Sequence, residues 1–267
     1  MREGLRHVGQ MDEWSRMDSP IHRIDARVQI LTAFLFLVAV LSHARYAVSA
    51  LIPFALYPVA LAALGRIPLW PLMRKMLAAA PFALAVGLFN PVLDRQTHAT
   101  IAGLPVAGGW FSFASILLRF ALTVGTVLCL VACTGMYRLC AGLEKMRVPR
   151  VFVLQLLFLY RYLFLVADEG ERMVRGARLR SAGRRALRLR TYGALIGQLL
   201  IRSVSRAERV YRAMLARGFD GKILLMRQPQ MRGADVLFLL AWSLFFGVAR
   251  IWNLAGGVGF LLTGGRG

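Results

Sequence analysis

Residues 151–190 read VFVLQLLFLYRYLFLVADEGERMVRGARLRSAGRRALRLR. The first part, Val151–Ala167, is almost continuously apolar, with Gln155 and Arg161 inside it. The second part opens with Asp168, Glu169 and Glu171 and then turns strongly basic. A spanning helix needs about 20 mostly apolar residues, and an arginine at the bilayer centre costs about 2.5–3.5 kcal/mol on insertion scales. Taken alone, Val151–Ala167 can cross a membrane, lie along it or pack in a groove. The rest of the chain decides. Its 267 residues are 58% hydrophobic with mean hydropathy +0.57, above the roughly 45–50% of soluble domains. That makes an integral membrane protein the leading class. It also excludes intrinsic disorder, which requires few apolar residues. Three cysteines are too few, and odd in number, for a disulfide framework.

Five other segments have the hydropathy of spans. Val28–Ser42 is short, and can be extended back to Ser19, where Ser19 offers an N-cap with Pro20 at the first helical position. Tyr46–Leu64 follows with Pro53 and Pro58 as kinks, then Leu77–Leu93 with Pro81 and Pro91, Phe120–Tyr137, and Val236–Leu254 with Arg250 near one end. The first 25 residues are polar, so no cleavable signal peptide is expected.

Charge orients these spans. Lys- and Arg-rich short loops stay in the cytoplasm. The N-terminal arm carries Arg2, Arg6, Arg16, Arg23 and Arg27; the second connection carries Arg66, Arg74 and Lys75; and the connection after the fourth span carries Arg138, Lys145, Arg147 and Arg150. The first and third connections, Ser42–Arg45 and Asp94–Trp110, are poor in positive charge. Four spans with the N-terminus cytoplasmic satisfy every loop. Residues 168–232 hold 16 basic and 5 acidic residues, so they too belong in the cytoplasm. A spanning Val151–Ala167 would place them opposite the equally basic 138–150 loop, so this segment is expected not to span. The expected fold is an all-α membrane protein. It comprises a cytoplasmic arm (1–27), transmembrane helices 1–4 (28–137), cytoplasmic or membrane-surface coupling helices (138–232), a last transmembrane helix (233–254) and a tail (255–267) on the outside. About five transmembrane helices thus accompany a cytoplasmic region with two long helices.

In that region, acids before bases suit a helix dipole, and Arg172, Arg175 and Arg178 share a helical stripe. Ser181-Ala182-Gly183 reads as a stop. A second helix runs from about Tyr192 to Arg217, with Arg202, Arg206 and Arg209 at i, i+4 and i+7, and Gly218 as its C-cap. The generic reading of such arginine clusters is attachment to anionic lipid, at about 1 kcal/mol per basic residue near the surface. No recognition fold accompanies the charge, so nucleic-acid binding is disfavoured. Arg217 stands between Ala216 and Gly218, so its guanidinium projects from a bare helix end, which suits insertion into a partner's groove.

At these residues the chain resembles the transmembrane, energy-coupling (T) component of energy-coupling factor (ECF) transporters, above all the cobalt-type subunit CbiQ. Asp18–Arg27 (DSPIHRIDAR) resembles the family's segment before the first span; Arg147-Val148-Pro149, Arg161-Tyr162 and the charged helix resemble its central region; and Arg212–Gly221 (RAMLARGFDG) is the most specific stretch. The family carries two short Ala-Arg-Gly motifs at the ends of coupling helices, and these bind a pair of cytoplasmic ATPase subunits. Ala216-Arg217-Gly218 matches the second motif in full. For the first, Ala177-Arg178-Leu179 and Leu179-Arg180-Ser181 are rival alignments, neither ending in glycine. The resemblance implies that the paired ABC ATPases hydrolyse ATP with Mg, that a CbiM-like membrane subunit binds the substrate, cobalt ion above all, with a small accessory membrane subunit and membrane lipids as further partners, and that this chain holds no cofactor and is not an enzyme. Nickel or a vitamin are the alternative cargoes. It further implies a membrane-level contact for the substrate subunit on the apolar helix, at Phe152, Leu156, Leu159 and Leu163. The implied location is the inner (cytoplasmic) cell membrane.

Other chemistry is weakly represented. The sequence lacks the GxxxxGK[ST] phosphate loop, HExxH and GxSxG. His7, His22, His43 and His98 lack ligand spacing and read as surface or interface residues. Cys129 and Cys133, at i and i+4, and Cys140 read as small packing residues rather than a soft-metal stripe. Arg119 reads as snorkelling from the outer end of the fourth span. A rival class is a membrane enzyme acting on lipid or prenyl phosphates. It would need acid/base or metal-binding carboxylates at the membrane face, and Asp168, Glu169 and Glu171 are the candidates, without a paired DxxxD. A basic membrane anchor is a third reading.

Overall fold

The computed structural model describes residues 19–43, 48–89, 97–101, 104–181, 188–221 and 231–251. The N-terminal arm with His7, the loop residues Asp94 and Arg95, and the C-terminal tail lie outside the described residues. The described residues divide into two compact units, one within 11–142 and 229–267 and the other within 143–228.

The larger unit is helical. Helix α1 is Ala26–Leu41, α2 Val48–Leu51, α3 Leu56–Leu64, α4 Leu69–Leu88, α5 Gly108–Thr134, α6 Met136–Lys145 (which runs on past this unit's edge) and α9 Gly233–Ile251. Helix α1 is not continuous with Ser19. A 3-10 turn, Ile21–Arg23, comes first, and Ser19 Oγ bonds His22 Nδ1 at 2.5 Å. The N-cap is instead Asp25, whose side chain accepts the Arg27 N–H at 2.9 Å. Helix α4 begins ahead of Leu77, after the extended residue Pro68, and takes in Arg74 and Lys75. Helix α5 begins well ahead of Phe120. Hydropathy placed that start too late because Arg119 interrupts the apolar run. In the structure Arg119 lies inside the helix and donates to the carbonyl of His43 at 2.9 Å. The expected loop between α4 and α5 contains an antiparallel hairpin, β1 (Thr97–Ile101) and β2 (Leu104–Ala107), pairing Thr97 with Ala107 and Ile101 with Leu104. The β-branched residues Thr97, Thr100, Ile101 and Val106 favour it.

Aromatic rings form the centre of this unit. Phe36 of α1 lies 4.9 Å from Tyr57 of α3 and 5.5 Å from Phe246 of α9, and Tyr57 lies 4.8 Å from Trp242 of α9. Lipid offers no hydrophobic drive between helices, so close packing and interhelical polar contacts hold them. Gly142 provides such an approach: a Cβ there would stand 3.0 Å from the Ala26 side chain. Cys129 and Cys133 are buried against α3, their Sγ atoms 3.9 Å from the carbonyls of Pro58 and Leu61. His22 and His43 are buried too, inside the unit rather than on its surface.

A polar clasp gathers the entry to α1. Gln29 donates to the Ile21 carbonyl at 2.6 Å, and Thr134 of α5 donates to Gln29 at 2.5 Å. Arg138 of α6 donates to the carbonyls of His22 and Ile24. Asp235, 2% exposed, accepts the backbone N–H groups of Asp25 at 3.1 Å and Arg232 at 2.7 Å. The latter bond is half of a capping box for α9.

Four of the described helical segments are long and apolar enough to cross a membrane: Leu69–Leu88, Ser112–Thr134, Arg150–Arg180 and Gly233–Ile251. The protein is a multi-pass membrane protein. Helix α1, at 16 residues, reaches about 24 Å, short of the roughly 30 Å hydrocarbon core.

Two helix ends share an uncommon device. Arg66 follows α3 with φ 52° and Arg147 follows α6 with φ 65°. In each case the next N–H reaches back five residues, Ile67 to Ala62 at 3.0 Å and Val148 to Leu143 at 3.2 Å. Each is a Schellman end with arginine in the left-handed position that glycine usually fills, and each is followed by Ile or Val and then a proline that starts the next helix.

Candidate functional site: the arginine-tipped helix pair

The smaller unit is built on two long helices, α7 (Arg150–Arg180) and α8 (Leu189–Leu215). Pro149, extended at the N-cap, starts α7; its fixed φ suits a helix entry. The apolar run and the charged run are then one uninterrupted helix, because no glycine pair or proline intervenes between Ala167 and Arg180. Helix α7 ends at Ser181, whose hydroxyl donates to the Arg178 carbonyl at 2.7 Å.

The end of α8 explains its sequence. Phe219 N–H bonds the Met214 carbonyl and Gly218 N–H bonds the Leu215 carbonyl, both at 3.0 Å, with Gly218 at φ 79°. This is a Schellman motif, and only glycine takes that conformation without steric cost. Ala216, Arg217 and Gly218 are all exposed, and Phe219 and Met214 line one apolar cleft below, the contact that usually accompanies this turn. Arg217 is thereby held at the rim of a rigid turn. At the other tip Arg178 and Arg180 are exposed and Ala177 is half-buried. Among the described residues, neither Arg178, Arg180 nor Arg217 makes an ion pair.

The helices run antiparallel. Gly170 of α7 meets Leu199 of α8, where a Cβ would lie 3.4 Å from the leucine side chain. Towards the start of α7, residues such as Leu154, Phe158 and Val166 line a cleft of about 550 Å³ with Ser203, Val210 and Met214 of α8. The arginine tips therefore lie at opposite ends of the pair. At 1.5 Å per residue, Arg178 and Arg217 are roughly 40 Å apart along it. Beside Gly170, the Glu169 carboxylate accepts from Arg172 at 2.7 Å and Arg202 at 2.8 Å, with Arg206 at 3.9 Å. Hydrogen bonds from Arg172 and then Arg202 hold Glu169 below the usual carboxylate range, and Glu169 raises Arg172 in return.

On α7, Phe152, Leu159 and Leu163 are exposed and Leu156 is half-buried. Phe152, Leu156 and Leu159 line a second apolar groove of about 510 Å³ with Leu143, Val148 and Val153. The predicted contact residues thus share one stripe. Sequence reasoning read Arg202 and Arg206 only as a stripe and Glu169 only as a dipole partner or a catalytic candidate. The bridge joins residues 33 apart, and its one signal was an acid amid a basic stretch, three residues before an arginine.

Several helices long and apolar enough to cross a membrane, together with a basic helix pair bearing exposed arginine ends, define a multi-pass membrane protein with a basic helical region. The cobalt transport protein family CbiQ matches residues 17–231, and the chain belongs to that family. It is 31% identical over 129 residues to the cobalt transport protein CbiQ of Rhodobacter capsulatus, covering 48% of this chain and 52% of that one. It is 26% identical over 258 residues to the energy-coupling factor transporter transmembrane protein EcfT of Limosilactobacillus fermentum, covering 88% and 95%. It is 29% identical over 147 residues to the nickel permease LarQ of Lactiplantibacillus plantarum, covering 51% and 53%.

Proposed function

We propose that this chain is the coupling subunit of an ECF-type importer, with its N-terminus and residues 138–232 on the cytoplasmic side of the cell membrane. A pair of ABC ATPases docks on the arginine tips, one on the α7 end through Ala177, Arg178 and Arg180, the other on the α8 end through Ala216, Arg217 and Gly218. A substrate-binding membrane subunit of CbiM type, with a small accessory subunit, packs on Phe152, Leu156, Leu159 and Leu163 of an α7 that lies along the membrane. ATP and Mg bind in the ATPases, and this chain needs no cofactor. The observation that carries the reading is the pair of unpaired, exposed arginine ends about 40 Å apart, a separation that suits two subunits rather than one ligand. ATPase closure then biases the helix pair between two arrangements, and the substrate subunit follows.

Cobalt ion is the proposed cargo, in keeping with the family description. The similarity to a nickel permease makes nickel the second candidate. The test is co-purification from native membranes, with wild type and Arg217→Glu side by side. Stoichiometric ATPase and a second small membrane protein are expected with wild type, and loss of ATPase with the variant. Uptake of labelled cobalt and nickel by the intact complex then names the cargo. A lone chain, or a variant that retains its ATPase and full uptake, overturns the docking role.

A further inference from the structure

We propose that Glu169 is the pivot residue of the helix pair: it pins α7 to α8 at one crossing point and so fixes where the two arginine tips stand. This rests on the coupling-subunit reading above. Three observations converge on that point. Glu169, 17% exposed, bridges its own helix to α8, with Arg172 at 2.7 Å and Arg202 at 2.8 Å. The neighbouring Gly170 is buried and lets Leu199 approach. Beyond this point, towards the start of α7, the helices part around the apolar cleft that runs to Met214 and Phe219. The pair is thus joined at one level and open beyond it, which is the shape of a lever on a pin.

The arms follow from helix geometry. Arg178 lies nine residues from Glu169, about 14 Å, and Arg217 lies fifteen residues from Arg202, about 22 Å. Any rotation at the pin is therefore magnified at the tips. Electrostatics requires the pin to be acidic. The surface around it is strongly basic, and without Glu169 the guanidiniums of Arg172, Arg202 and Arg206 would face one another and drive the helices apart. One exposed ion pair fixes little, whereas a carboxylate shared by several arginines acts as a network whose members depend on one another. Glu169 is a positioning residue: it acts through the docking arginines rather than by touching a partner.

The test is a charge-swap cycle in the intact importer, with Glu169→Gln, Glu169→Arg, Arg202→Glu and the double variant E169R/R202E. Each is read for ATPase bound per chain and for ion taken up per ATP hydrolysed. Single variants are expected to keep an ATPase on each tip while uptake per ATP falls at least about threefold, in the range of coupling within a charge network. The double swap is expected to regain most of the loss. Spin labels at Val151→Cys and Leu215→Cys, across the cleft, give a second readout on the chain alone. One narrow distance population is expected for the native bridge, a broadened one for Glu169→Gln, and a narrow one again for the swap. Arg202→Gln breaks the same bridge from α8 should a Glu169 variant fail to fold. Unchanged distances and uptake in both Glu169→Gln and Arg202→Gln, or a swap that restores neither readout, overturn the pivot. Retention of the ATPase by Arg217→Glu would instead overturn the docking reading, so the two failures are separable.

Discussion

Asp235 gives the sharpest stability test. It is 2% exposed, carries the half capping box of α9 and accepts the N–H of Asp25, the residue that itself caps α1 and pairs with Arg27 at 2.9 Å. Replacing it with alanine leaves the Asp25 N–H without its acceptor, a loss of about 1–3 kcal/mol for a buried donor. The Arg232 N–H is near solvent and can rehydrate, so its loss is only that of a helix cap, about 0.5–2 kcal/mol. The sum is about 1.5–5 kcal/mol, which at roughly 2–4 °C per kcal/mol for proteins of this size lowers Tm by about 3–20 °C. Asparagine keeps one acceptor and loses the charge, so Asp235→Asn should fall by about half as much. The assay is thermal unfolding of the purified chain in mild detergent, followed by tryptophan fluorescence; Trp242 lies in the aromatic cluster on the same helix. An Asp235→Ala variant that melts within about 2 °C of wild type would refute the clasp as a stabilising element, and equal losses for alanine and asparagine would refute the bookkeeping of donors.

The left-handed arginines offer a test of opposite sign. Arg147→Gly relieves a residue held at φ 65°, so Tm should rise, by the equivalent of about 1 kcal/mol; a lower Tm would show that the side chain contributes more than its conformation costs. Gly142→Val should destabilise markedly in the same melt, because a Cβ alone already stands 3.0 Å from Ala26, whereas an undiminished Tm would mean that α6 can step away from α1. Burial, first of all, lowers the pKa of His43, whose ring bonds the Ala39 carbonyl at 2.8 Å. The unfolded chain then takes up the proton first as pH falls, so stability should hold above about pH 6.5 and decline below it. His43→Gln should flatten that slope, and an unchanged slope would assign it to other groups. Leu163→Glu, on an exposed position of α7, should leave Tm and ATPase binding intact while the substrate subunit is lost from pull-downs; retention of that subunit would move the contact elsewhere.

What the sequence made legible was local. Gly218 could be read as a helix end because a Schellman turn needs a left-handed residue within two positions of the last apolar one, and the structure has that turn. The stop after Arg180 was legible from Ser181-Ala182-Gly183, and the helix ends at Ser181, which is not left-handed (φ −84°). Phe152, Leu156, Leu159 and Leu163 were named through the family resemblance, and their helical spacing puts them on one stripe. Helix starts were read less well where charge sits inside a helix, as Arg74, Lys75 and Arg119 do. Hydropathy treats such residues as boundaries, whereas Arg119 is accommodated by the carbonyl of His43. The left-handed ends at Arg66 and Arg147 were hidden because the signal sought was glycine.

The polar contacts that hold the molecule together were illegible for a different reason. Asp25 and Asp235 are 210 residues apart, and Gln29 and Thr134 are 105 apart. No periodicity couples such positions. Each reads as an ordinary surface or cap residue until the fold brings its partner. The same holds on the helix pair, where Glu169 belongs by spacing to Arg172 and by fold to Arg202. There is a physical logic to that division. On the proposed reading docking arginines must project, so they sit at helix ends, and at Arg217 the local turn chemistry leaves a readable motif. A pivot must join two elements, so its partners are distant in sequence and it leaves almost none. If the proposed coupling role holds, the part that touches a partner is the part the sequence announces, and the part that transmits the motion is found only when the helices are seen side by side.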